Sequence, residues 1–143
     1  MPAEYTERSM LKYTEKVLEL FRNPKNMGEM ESPTVVAVEG DPQCGDMFKM
    51  FLKIENGRIV DVKFLSFGCA ANIATGSMTT ELIKGKTVEE AEKLTIKEIV
   101  DALGGLPALK THCAVLAYKT LKKALQEYRI KESGGSSLSL IHI

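Results

Sequence analysis

Neither sign of charge predominates in this sequence, in which 19 lysines and arginines stand against 19 aspartates and glutamates. That balance argues against nucleic acid or an acidic lipid surface as the main partner. No apolar run approaches the ~20 residues that a bilayer-spanning helix needs, so no membrane role is expected. The opening Met1-Pro2-Ala3-Glu4-Tyr5 lacks a basic region followed by an apolar one, and the chain reads as cytoplasmic. There is no internal repeat and no Walker-type phosphate loop. Two histidines give no convincing Ser-His-Asp set, which leaves nucleotide hydrolysis and serine hydrolase chemistry without support. Cysteine is scarce, with three residues in all, and no two of them form Cys-x-x-Cys. A zinc ribbon and a thioredoxin-type redox pair are thereby excluded, and a ferredoxin, which clusters four cysteines, is disfavoured. An odd count in a reducing compartment also argues against a disulfide framework.

What is present fits one globular domain: 143 residues, 44% of them hydrophobic, suffice for a core without disulfide staples. Residues 1–9 are polar and patternless and read as a disordered extension, 10–131 as the domain, and 132–143 as a flexible tail containing Ser133-Gly134-Gly135-Ser136-Ser137. Met10, Tyr13, Val17, Leu20 and Phe21 recur at helical spacing on one apolar face, which Asn23-Pro24 ends. Thr34 to Glu39 is a β-branched first strand. Phe48, Met50, Leu52 and Ile54 alternate with polar residues as a second, and Val60, Val62 and Phe64 as a third. A two-residue turn between these last two would set Leu52 against Asp61. A three-residue loop, Glu55-Asn56-Gly57 with Gly57 left-handed, pairs Leu52 with Val60 and Met50 with Val62, and is preferred. Helices follow from Ala70 to Lys84, after the capping boxes Thr87-Val88-Glu89-Glu90 and Thr95-Ile96-Lys97-Glu98, and from Cys113 along the stripe Ala117, Leu121, Ala124, Leu125 and Tyr128. The expected fold class is α+β, a three-stranded antiparallel sheet with helices packed on one face.

An antiparallel meander brings the ends of strands one and three and the start of strand two to a single rim, so Cys44 and Cys69 become neighbours although 25 positions separate them (69 − 44). Cys69 sits where a strand turns into a helix, and the unpaired amides and dipole of the helix start favour its thiolate. Cys113 begins a second helix, beyond a Gly-Gly and Pro-containing segment that can swing toward a partner. Three buried, inert cysteines are the plain alternative, but Gly45 and Gly68 leave two of the sulfurs open to a ligand. Asp46, two residues past Cys44, and His112, adjacent to Cys113, offer a fourth donor of harder character. Three thiolates with such a donor suit zinc or an iron-sulfur cluster. A thiol enzyme with Cys113 as nucleophile and His112 as base is less well served, because adjacent helical residues point about 100° apart.

Asp41-Pro42-Gln43-Cys44-Gly45-Asp46, Phe67-Gly68-Cys69-Ala70 and Leu106-Pro107-Ala108-Leu109-Lys110-Thr111-His112-Cys113 resemble the three cysteine motifs of the IscU/NifU-type iron-sulfur cluster scaffolds. Asn23-Pro24-Lys25-Asn26-Met27-Gly28 and Lys84-Gly85-Lys86-Thr87 are similar to two further signatures of that family, and the likeness covers about residues 10 to 131. The resemblance implies a scaffold rather than an enzyme. Such a scaffold accepts sulfur from a cysteine desulfurase, takes up iron, builds a [2Fe-2S] cluster and passes it to apo iron-sulfur proteins, with zinc as another occupant of the resting site. It implies Cys44, Cys69 and Cys113 as ligands, Cys113 as persulfide acceptor, and Asp46 or His112 as the supplementary ligand. Two departures stand out. Asp41 replaces a frequent Asn, and Leu106-Pro107-Ala108-Leu109-Lys110 departs from the chaperone-recognition sequence Leu-Pro-Pro-Val-Lys, which counts against an Hsp70-type chaperone partner. Monomer and homo-oligomer both stay open. A zinc-stabilised interaction module is the alternative from another class, and the carboxylate of Asp46 disfavours it, since closed structural sites use Cys and His.

Overall fold

A computed structural model describes residues 13–41, 43 and 46–132. Cys44, Met10, the extension 1–9 and tail residues 133–143 lie outside the described residues. The elements run α1 (Glu15–Arg22), β1 (Val35–Asp41), β2 (Asp46–Glu55), β3 (Arg58–Phe67), α2 (Ala70–Ile83), α3 (Val88–Glu92), α4 (Ile96–Ala102), a 3₁₀ turn (Ala108–Lys110) and α5 (Thr111–Glu132). The sheet is a meander in the order β1-β2-β3, with both pairings antiparallel. No helix among the described residues is long and apolar enough to cross a membrane.

The inner face of the sheet carries Val35, Ala37, Met50, Leu52, Ile54, Ile59 and Val62, and the expected α5 stripe packs on it through Leu121, Ala124, Leu125 and Tyr128. Toward the rim, Phe48 and Phe64 meet at 6.2 Å between ring centroids and cover Ala117. A second apolar cluster joins α1 (Val17, Leu20), α2 (Ala74, Met78), Ile99 of α4 with its C-cap Leu103, and Ala114 of α5. Both capping boxes form as the sequence predicts: Thr87 with Glu90 and Thr95 with Glu98 each exchange side-chain and backbone bonds. Phe21, assigned to the buried face of the first helix, is 40% exposed. With α1 only eight residues long, Val17 and Leu20 are the residues that reach its partners.

The β2–β3 register corrects the three-residue loop. The turn is the two-residue Asn56-Gly57, with both residues at positive φ (53° and 75°) and Glu55 opposite Arg58, the mirror-image geometry that matches strand twist. Ile54 pairs with Ile59, and then the register shifts, so that Lys53 faces Asp61, Leu52 faces Val62 and Met50 faces Phe64. Val60 is the extra residue of this bulge and is 41% exposed, not part of the apolar face. One extra residue restores the parity that a two-residue turn would have lost, and keeps Asp61 off the core side.

The two non-cysteine signatures have structural work. Asn26 and Gly28 bond to the free edge of β3 (Phe64 N–H to Asn26 O at 2.9 Å, Gly28 N–H to Phe64 O at 2.8 Å). The Asn26 amide donates to Thr80 Oγ1 and Glu81 Oε2 of α2. Farther along that edge, Ile59 N–H donates to Lys86 O at 2.8 Å, and Gly85 N–H donates to Ile59 O at 2.7 Å. The edge of β3 is thus occupied by chain, which suppresses pairing with other molecules.

Candidate metal centre

β3 runs into Gly68 and then Cys69, the N-cap residue of α2. Gly68 has φ +152°, and a Cβ there would lie 2.6 Å from Asn72 Nδ2, so the turn needs glycine for both reasons. The Cys69 sulfur makes no cap hydrogen bond of full geometry. It does face Cys113, which acts as hydrogen-bond partner, and this contact chiefly pulls the Cys69 thiol down to about 5. Partial burial opposes the shift, while the amides of Asn72 and Ala71 and the Lys110 ammonium add to it. The thiol of Cys113 moves the other way, up, because it donates to the Cys69 sulfur, is buried, and faces the charge of Cys69 and then that of Asp46. The two thiols thus move in opposite directions, Cys69 toward thiolate and Cys113 toward thiol.

On the other side of Cys113, His112 Nε2 lies 2.9 Å from Asp46 Oδ2 and 3.8 Å from Cys113 Sγ. Its Nδ1 lies 3.1 Å from Leu109 O. Asp46 reaches this place because it opens β2 opposite Asp41. The next pair along the β2–β3 ladder, Met47 with Phe67, brings that end of β2 beside the approach to Cys69. Asp41 Oδ1 accepts from Gln43 N–H at 2.9 Å.

The four described candidates therefore form a chain of contacts: Cys69, Cys113, His112, Asp46. Both harder donors, Asp46 and His112, are at the site, paired with each other. Among the described residues no group of three or more ligating side chains is gathered closely enough to hold a metal ion, and the expectation for Cys44 lies outside those residues. Two differences from the sequence reading concern Cys113. It is the third residue of α5 and fully buried (0% exposed), so that a swing of the Gly-Gly and Pro-containing segment before it does not by itself expose the sulfur. The His112 ring also reaches it, since the length of the imidazole side chain outweighs the angular separation of neighbouring residues. The sequence pattern marks neither Tyr13 nor Lys110 as a site residue. The Tyr13 hydroxyl pKa is raised first by burial and then by the charge of Cys69, and that of the Lys110 ammonium is raised first by the same charge. Lys110 was legible as a cation three residues before Cys113; Tyr13 carried no signal beyond its apolar spacing.

A helix-backed three-stranded sheet with thiols at two helix starts, facing each other at its rim, defines the α+β domain. The chain belongs to the family of NifU-like N-terminal domains, whose sequence model matches residues 12–134. It is 46% identical over 130 residues to the "Iron-sulfur cluster assembly scaffold protein IscU 1" of Archaeoglobus fulgidus, covering 85% of each chain. It is 45% identical over 122 residues to the corresponding scaffold protein IscU of Aquifex aeolicus, covering 84% of this chain and 78% of that one. A crystal structure from Fervidobacterium islandicum, provisionally assigned as an iron-sulfur cluster assembly scaffold protein for the SUF system, is 27% identical. It superposes with a TM-score of 0.66 over 82% of this chain and 98% of that one. A NifU-like N-terminal structure from Brucella abortus, 18% identical with a TM-score of 0.66 over 85% of this chain and 97% of that one, shares the fold.

Proposed function

We propose that this protein is a scaffold on which [2Fe-2S] clusters are assembled and from which they are passed to apo-proteins. The observation that carries the reading is the opposed Cys69–Cys113 pair beside the Asp46–His112 pair. The family and the scaffold descriptions of the relatives at 45–46% identity support it and disfavour a zinc-stabilised interaction module. Cys44, Cys69 and Cys113 are the proposed ligands, with Asp46 or His112 as the fourth. Soft thiolates select iron-sulfur species, and one oxygen or nitrogen donor leaves a more weakly held edge for exchange. Zinc suits the same donors in the resting state.

Sulfur is proposed to arrive from a cysteine desulfurase as a persulfide. The Cys113 thiolate attacks its outer sulfur, the new S–S bond forms on Cys113, and the desulfurase thiolate leaves. The Cys113 proton must first depart, and the neighbouring Cys69 thiolate is the group placed to take it. Burial of Cys113 means that docking has to uncover it. Exposed Phe67 and Leu109 flank the thiols and offer apolar surface to an incoming protein. Nothing in this scheme needs a membrane or nucleic acid, and a cytoplasmic setting suits its free thiols.

The test is anaerobic incubation with ferrous iron, cysteine and a desulfurase. Visible absorption of a [2Fe-2S] cluster should grow, and should be lost in Cys44→Ser, Cys69→Ser and Cys113→Ser. A chain that stays colourless while the desulfurase turns over overturns the reading. Mass spectrometry after one turnover without iron should place the added sulfur on Cys113; persulfide mainly on Cys44 or Cys69 would reassign the acceptor.

A further inference from the structure

Three residues beyond Cys69, in the first turn of α2, Asn72 is fully buried. Its amide Nδ2 donates twice, to Ser66 Oγ and to Phe67 O, both at 2.9 Å. Its backbone N–H donates to Cys69 O at 3.0 Å. Its Oδ1 is buried with no hydrogen-bond partner among the described residues. A buried acceptor left unmet costs stability, and an apolar side chain at this position would avoid that cost. The two donated bonds are what the amide supplies in return. They end on the last two residues of β3, while the same side chain lies against Gly68, where an added Cβ would meet Nδ2, Cβ and Cγ of Asn72 at 2.6–2.9 Å. Cys69 is thus bracketed: Asn72 grips residues 66 to 68 before it and bonds to its own carbonyl after it.

We infer that Asn72 is a positioning residue for Cys69, its amide tying the end of β3 to the first turn of α2 so that the Cys69 sulfur stays at the helix start, turned toward Cys113. The functional value of that position rests on the scaffold reading, but the positioning does not. Its test therefore uses the reduced, metal-free full chain. The probes are iodoacetamide at one fixed pH, with labelling of Cys69 and Cys113 separated by mass spectrometry, and cobalt(II), whose sulfur-to-metal charge-transfer band reports thiolate bonds.

In the unmodified chain Cys69, the less buried of the two, should be labelled first. Asn72→Asp, which keeps the side-chain shape and gives up both N–H donors, and Asn72→Ala should each lower the Cys69:Cys113 labelling ratio about threefold or more, the scale of a lost hydrogen bond. Both should also weaken the cobalt band. Thr79→Val removes another buried, unpartnered polar atom on the same helix and should move neither readout. If Asn72→Ala loses its fold in thermal unfolding, Asn72→Asp carries the test. A folded Asn72→Asp chain with the original labelling ratio and cobalt band overturns the inference. A chain that fails to assemble a cluster but shows these shifts overturns the scaffold reading alone.

Discussion

Cys69 and Cys113 shift in opposite directions, and that contrast separates two thiols that look alike in the sequence, each at a helix start. With Cys69 only partly buried and pulled down to about 5, and Cys113 covered and pushed up, iodoacetamide should label Cys69 first in the reduced, metal-free chain. A thiol whose pKa is lowered stays reactive until the pH falls through the lowered value. Labelling of Cys69 should therefore persist to about pH 5 and drop below it. Labelling that collapses near the ordinary thiol range, ~8.5, would show the pair to be uncoupled. A second residue-scale prediction concerns Asp46. In its contact with His112 it occupies the nitrogen through which His112 would bind a metal, so ligation by His112 would part the two. Asp46→Ala should still assemble a cluster on three cysteines but transfer it to an apo-ferredoxin more slowly, and Asp46→Cys should hold it tightest, because a fourth thiolate matches iron better than a carboxylate. Unchanged transfer in both would pass the fourth-ligand role to His112.

At the scale of elements, α2 is held close to the sheet by a missing side chain. Gly→Ala within a helix ordinarily gains about 0.5–1 kcal/mol. At Gly76, however, the added Cβ would lie 2.4 and 2.6 Å from the Phe64 ring and 2.8 Å from that of Phe48. Both rings are fully buried, and overpacking of this kind costs about 1–3 kcal/mol. The clash outweighs the propensity, so Gly76→Ala should lower the thermal midpoint; a raised midpoint would mean that the helix can lift from the sheet without loss. The capping boxes give a local comparison. Thr95→Ala removes the bond to Glu98 N–H and should cost ~1 kcal/mol in denaturant unfolding. The β2–β3 hairpin shows how local patterns were legible yet incomplete: Ile59-Val60 is an apolar doublet inside an alternating run, the mark of an extra residue, and alternation alone put Val60 on the wrong face.

Across the whole molecule, α3 is tied to α5 by the two-pronged Arg129–Glu92 pair, with Nε–Oε2 and Nη2–Oε1 both at 2.9 Å, and by Lys122 donating to Glu92 O. Hydrogen bonding to Arg129 holds the Glu92 carboxyl below its usual range. A depressed carboxyl adds stability that is present above its unfolded value and is lost as pH falls through the folded one. The pair is partly exposed, so solvent screening limits it to roughly 0.2–1 kcal/mol. Glu92→Gln should therefore destabilise the chain by that small amount at neutral pH, and the difference from the unmodified chain should shrink as the pH is taken below the carboxylate range. A difference that persists there would point to lost packing. The open edge of β1 is managed from the same helix: Lys123 and Lys131 of α5 donate to Val38 O and Thr34 O, placing charge where a foreign strand would otherwise pair.

By itself the sequence determined the meander, the helix order, the capping boxes, the α5 stripe and the residues of the proposed site, because each depends on local periodicity, turn chemistry or a short motif. Tertiary structure decided what local pattern cannot carry. It placed Asp46 against His112 across 66 positions of chain, because β2 and α5 meet at one rim. It buried Cys113 and gave its proton contact to Cys69, which no spacing encodes, and it turned Asn72 from one more residue of a small-residue helix into a clamp on residues 66 to 68. It also shifted the hairpin by one residue, since keeping Asp61 off the core face depends on the whole sheet packed against α5, whereas the turn residues themselves answer only to the backbone around them.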